Sequence, residues 1–223
     1  MKKWFWVIII AIILAISSLL VGLYYAGKQE KIPQYLSQTL ESGKLQLKNA
    51  NSVLEQAQKA FEIARKYSSN PQLYSVIVDK KYGSFNFNRP DNSFDFHSDE
   101  EKFDLLFSII PETGEYKITK SSIKLMVDGD KPFSLSEILK IKDFPEVLTI
   151  AETQFQVYNQ RYPDSGGSYF ATLSQRQSQP LNWRFVYGVS KDYYNRVENA
   201  RSMRVVVNSK SLQILEVRYP WQN

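Results

Sequence analysis

The densest set of side chains able to do chemistry lies in "DNSFDFHSDEE", which holds Asp91, Asp95, His97, Asp99, Glu100 and Glu101. Successive side chains of a strand point to opposite faces, so Asp95, His97 and Asp99 would share one face and Phe94 and Phe96 the other. Two carboxylates flanking an imidazole are a plausible ligand set for a divalent cation, or the polar half of a hydrolytic site. The competing reading is an amphipathic hairpin that buries its phenylalanines and leaves the acids as a solvated edge. That second reading is adopted, and no catalytic residue, metal or cofactor is expected.

The rest of the inventory narrows the chemistry further. The 223 residues include no cysteine and a single histidine, His97. Disulfides, thiolate metal sites and a thiol nucleophile are therefore excluded, and any Ser-His-Asp arrangement must be built around His97. "VDGDK" at residues 127–131 lacks the spacing and closing glutamate of a calcium loop and reads as a tight turn. Trp183, Tyr187, Tyr193, Tyr194, Tyr219 and Trp221 enrich the C-terminal part in aromatics. Alternating aromatics in strands belong to a core. Tyr193 and Tyr194, in the loop-like "SKDYYNRVEN", and Trp221 are the expected contact residues for a partner.

The elements that would position these groups recur. "FDLLFSII" from Phe103 lies on "WRFVYGVS" from Trp183 at an offset of 80, and Ile123, Leu125 and Val127 then fall on Met203, Val205 and Val207. The two-residue alternation predicts strands. Further back, "VLEQAQKAF" at residues 53–61 matches "VLTIAETQF" at residues 147–155, with Val, Leu, Ala and Phe at identical spacing on one helical stripe. Asp143 with Pro145 predicts a capped helix start, and Ser134 with Glu137 a capping box on a short preceding helix. Each copy reads as one helix followed by a three- or four-stranded antiparallel meander. "KKYGSFNFNRPDNSFDFHSDEE" is read as a hairpin or long loop added to the first copy.

The N-terminus, "MKKWFWVIIIAIILAISSLLVGLYYAGK", carries two lysines and then an apolar run long enough to cross a bilayer of about 30 Å. Tyrosines stand where a cleavage site needs small residues, and Trp4 and Trp6 with Tyr24 and Tyr25 form two aromatic belts. An uncleaved single-pass anchor is expected, with its N-terminus cytoplasmic and the body extracytoplasmic. The net charge of +5, from 28 basic and 23 acidic residues, is interspersed and predicts no nucleic-acid partner.

The second copy resembles a PepSY-type domain of bacterial secreted and membrane-anchored proteins. The resemblance rests on Trp183, Phe185 and Tyr187 in one strand and on Val205, Val207, Asn208, Ile214 and Leu215 in the hairpin after it. It covers residues 143–218, with a weaker echo over residues 52–135. The family's D-x-x-T-G turn is here Asn208-Ser209-Lys210-Ser211, with no glycine among them. Tandem cystatin-like domains are similar in arrangement. The resemblance implies an extracytoplasmic, non-enzymatic module that binds or restrains peptidases or takes part in envelope regulation.

The expected organisation is an α+β chain. A transmembrane anchor (1–27) and a stalk (28–46) precede a first PepSY-like repeat with an inserted hairpin (47–135) and a second repeat (136–223). The expected partners are the membrane and another envelope protein. The alternative is a structural subunit of a membrane complex, and an envelope hydrolase using Asp95 to Glu101 stands third.

Overall fold

The computed structural model describes residues 37–80, 91–98, 103–121, 130–163, 169–176, 179–188 and 202–221. The expected anchor, the first part of the stalk, Tyr193, Tyr194, Asp99, Glu100, Glu101 and the strand expected at Ile123 to Val127 lie outside them. Among the described residues, no helix is long and apolar enough to cross a membrane.

Helix starts follow the capping chemistry. Helix α1 (Val53–Ala64) begins at Ser52, whose side chain accepts from Glu55 N. A short α2 (Leu135–Ile138) opens on the Ser134 and Glu137 capping box. The longer α3 (Phe144–Arg161) starts at Asp143 with a proline in its first turn. The apolar stripes are buried as their spacing requires: Val53, Ala57 and Phe61 on α1, and Val147, Ala151 and Phe155 on α3. One oxygen, Asp143 Oδ1, accepts from both Phe144 N at 2.8 Å and Leu54 N at 3.2 Å, so a single carboxylate caps two helices 89 residues apart. Replacing Asp143 by Ala is expected to cost about 2 kcal/mol, because each lost cap costs about 1 kcal/mol. A urea midpoint unchanged from wild type would show the shared cap to be incidental.

Among the described residues nine strands form one antiparallel sheet: β1 (Ser37–Lys44), β2 (Gln72–Asp79), β3 (Asn92–Ser98), β4 (Phe103–Ile109), β5 (Glu115–Ser121), β7 (Tyr169–Arg176), β8 (Asn182–Tyr187), β9 (Met203–Asn208) and β10 (Ile214–Arg218). Their spatial order is β1-β5-β4-β3-β2-β7-β8-β9-β10. A two-residue β6 (Asp130–Lys131) pairs with Arg176 and Gln175 at the end of β7, while Phe133 bridges Leu73 at the start of β2. The linker between the halves thus enters the sheet where β2 and β7 part. Elsewhere those two strands pair directly, from Ser75↔Ser174 to Asp79↔Phe170. The described residues from Ser37 onward form one compact unit.

Helix α1 packs on β3 and β4, and α3 on β8, β9 and β10. The alternation then decides which side chains meet them: Phe94 and Phe96, Leu105, Phe107 and Ile109 in one half; Trp183, Phe185 and Tyr187, Met203, Val205 and Val207 in the other. All belong to a single continuous core. Aromatic rings carry much of it, with Phe61 and Phe96 edge-on at 4.9 Å and Phe155 stacked on Tyr187 at 4.1 Å.

Three expectations are corrected. The segment Ser37–Lys44 is no stalk: it is an edge strand paired to β5, and Leu40 packs against the core. Glu41 fastens it, accepting from Lys66 Nζ at 3.0 Å, from Tyr67 Oη at 2.8 Å and from the Tyr116 hydroxyl. These donors, Tyr116 first, hold the Glu41 carboxyl down at about 2. Second, within the segment expected as an added hairpin or long loop, Asn92–Ser98 is β3, a full member of the first meander, while residues 81–90 and 99–101 lie outside the described ones. Third, the equivalence of the halves shifts by one strand. Phe103 opens the third strand of its meander, whereas Trp183 lies in the second of its own, so the element matching β4 is β9. An alternating apolar triad occurs in each of these strands, and a slip by one strand leaves the alternation intact.

The hairpin between β9 and β10 closes without glycine. Asn208 Oδ1 accepts from Lys210 N at 3.0 Å and Ser211 N at 2.9 Å, and Leu212 takes the left-handed conformation at φ 61°. The cost of that conformation, about 1–2 kcal/mol, is offset by packing Leu212 against the core.

Candidate functional site

On the face of the sheet turned away from the helices, side chains of both halves line a groove of about 710 Å³. The backbone register explains how they meet. Asp95 pairs with Ser75, Ser75 with Ser174 across the β2–β7 seam, and Ser174 with Asn182, which sets four polar residues in one row across four strands. The next row runs Ile77, Thr172, Arg184 and Val206. Arg184 and Arg204 stand between core residues of their own strands, so alternation turns them to the groove.

The two ends of the row differ in charge. At one end the Ser75 hydroxyl donates to the Asp95 carboxylate, and His97 Nδ1 contacts the Asp104 carboxylate. Both partners of the second pair are well buried, with side chains 14% and 3% exposed. Tyr74 meets the His97 ring edge-on at 5.9 Å. At the other end Arg184 donates to Ser174 Oγ at 2.8 Å and reaches Gln179 Oε1 at 3.4 Å. Arg176, Arg204 and Glu216 also line the groove. Among the described residues, Asn182 Oδ1 accepts no hydrogen bond, although Asn182 is only 2% exposed.

Burial pushes the Asp95 carboxyl up to about 6, with the Asp104 charge adding to the rise and the Ser75 hydroxyl opposing it. A raised folded value means that the native state holds this proton more tightly than the unfolded chain. Its stabilising contribution is full below the ordinary aspartate value and is lost as pH climbs through about 6. Asp95→Asn keeps an acceptor for Ser75 and removes the charge. It is expected to raise stability by about 2 kcal/mol at pH 7.5 and to leave it unchanged near pH 3.5. Equal gains at both pH values in chemical denaturation would contradict this origin.

Of the residues singled out in the sequence, Asp95 and His97 do share a face and enter the groove. Asp91 is buried ahead of β3 and does not line it. The Ser75 hydroxyl is engaged by Asp95 and the His97 ring by Asp104. Among the described residues, no cluster of three or more His, Asp or Glu is placed to hold a metal ion. Trp221 is half-buried, stacked on Tyr219 at 4.6 Å, with the Arg161 guanidinium 4.7 Å from its ring centre. It packs beside Tyr158 and Tyr162, at the end of α3. Ser75, Ser174, Asn182, Arg184 and Arg204 were not anticipated. Ser75, Asn182, Arg184 and Arg204 each stand between two apolar neighbours in sequence, the signal by which alternation turns a side chain away from the core.

No protein-family model, curated protein or solved structure matches the chain.

Proposed function

We propose that this chain is a membrane-anchored extracytoplasmic protein-binding module made of two PepSY-like repeats, restraining a peptidase or regulating an envelope assembly. The observation that carries the reading is the repeated order of elements. A helix followed by four antiparallel strands occurs as α1 with β2 to β5 and again as α3 with β7 to β10. The β9–β10 turn supports the family resemblance at the point where the sequence departs from it. Leu212 occupies the glycine position of the D-x-x-T-G pattern and has the left-handed backbone that glycine ordinarily supplies there. The apolar run at residues 4–26 supports the anchor.

In-cell crosslinking followed by mass spectrometry tests the function. A recurrent envelope-protein adduct is the expected result, and a chain that crosslinks to nothing above background would end the reading. Protease added to intact spheroplasts should digest the body and spare the N-terminal tail; full protection of the body would reverse the orientation.

A further inference from the structure

The groove opposite the helices has the makings of a ligand site: an acidic end, a basic end, and between them hydroxyls and an amide at the spacing of sheet strands. We propose that it binds an extended peptide segment bearing a basic and an acidic side chain four residues apart. This deepens the protein-binding reading and rests on it.

Geometry sets the length of the segment. Asp95 on β3 and Asn182 on β8 end a row of four neighbouring strands, and three strand spacings come to about 14 Å. An extended chain advances about 3.3 Å per residue and places every second side chain on one face. Residues i and i+4 of a bound segment therefore face the sheet together, about 13 Å apart. A lysine or arginine at one of them meets Asp95. A carboxylate at the other lies over β8 beside Arg184, with Arg204 one strand further on β9, and Arg204 has no ion pair among the described residues.

The β8 end of the row points to a peptide rather than to any dipolar small molecule. Asn182 Oδ1 is buried and without a donor, a state that costs about 1–3 kcal/mol. Rotation of the amide about its last torsion keeps its shape while exchanging acceptor and donor. Asn182 can thus answer either the N–H or the C=O of a peptide unit lying over β7 and β8. The volume, about 710 Å³, suits a segment of this size.

The test is calorimetric titration of the full chain in mild detergent with acetyl-Lys-Ala-Ala-Ala-Glu-amide and with the reversed acetyl-Glu-Ala-Ala-Ala-Lys-amide. At least one should bind with a Kd of about 100 μM. The neutral acetyl-Gln-Ala-Ala-Ala-Gln-amide should bind at least about tenfold more weakly, since two charge-assisted contacts are lost. Arg204→Gln, at an exposed position, and Asn182→Leu, which removes the lone acceptor without opening a cavity, should each weaken the better peptide about fivefold or more. The proposal is overturned if neither charged peptide binds at millimolar concentration, if the neutral peptide binds as well, or if Arg204→Gln retains wild-type affinity. A photoreactive residue at Thr172 in the groove or at Val157 on the exposed side of α3 separates the two levels. Adducts at Val157 alone would leave protein binding standing and remove the groove from it.

Discussion

Phe185→Ala is expected to remove about 4 kcal/mol of folding stability. Phe185 is fully buried, with Phe144 and Phe155 each 5.9 Å away, Tyr169 at 6.1 Å and Trp183 at 6.4 Å between ring centres. These neighbours come from α3, β7 and β8, so no single element can move to fill the space. Collapse into the cavity is therefore limited, and the cost falls in the upper range for Phe-to-Ala changes. Domains are held by only about 5–15 kcal/mol in total, so the urea midpoint should fall steeply while its slope stays the same. A loss under about 1.5 kcal/mol would mean that the aromatic cluster repacks, against the close packing described above.

Gly114→Ala is expected to cost about 3 kcal/mol and to act on one edge of the sheet. Gly114 lies at φ 71° in the turn before β5, and an added Cβ would stand 2.1 Å from the Leu45 carbonyl oxygen. The left-handed conformation alone costs a non-glycine residue about 1–2 kcal/mol. Relieving the clash also breaks the bond from Leu45 N to Gly114 O, now 2.9 Å. The backbone just after β1 is what must move. Amides of residues 38–45 should lose protection in hydrogen exchange while those of β8 and β9 keep theirs. Uniform loss across the sheet would show that β1 is integral to the core and not a separable edge.

What could be read from the sequence was whatever a local pattern encodes. Ser134 with Glu137, and Asp143 with Pro145, announced two helix starts because capping needs only neighbours. Trp183, Phe185 and Tyr187 announced a core strand because alternation is local too. β1 was missed because "SQTLESGK" has only Leu40 as an apolar residue, and its hold on the sheet comes from Glu41 meeting Lys66, Tyr67 and Tyr116. The groove was half legible. Asp95 and His97 could be placed on one face, but their approach to Arg184 depends on the register of β2 against β7. No local period specifies that register, because it is fixed by the pairing of residues about a hundred apart, such as Ser75 and Ser174.

That pairing also orders events in time. Among the described residues eight neighbouring strand pairs make up the sheet path, and all but β1–β5 and β2–β7 join strands that follow one another along the chain. Short-range hairpins close quickly, whereas the seam must wait for the chain between its strands to be gathered in. Pulse-labelling during refolding should accordingly find the amides of β3–β4 and β8–β9 protected before those at the seam. Because Ser75 and Ser174 meet only there, neither half owns the groove by itself, and the surface that distinguishes a finished molecule from two folded halves is the last to come into being.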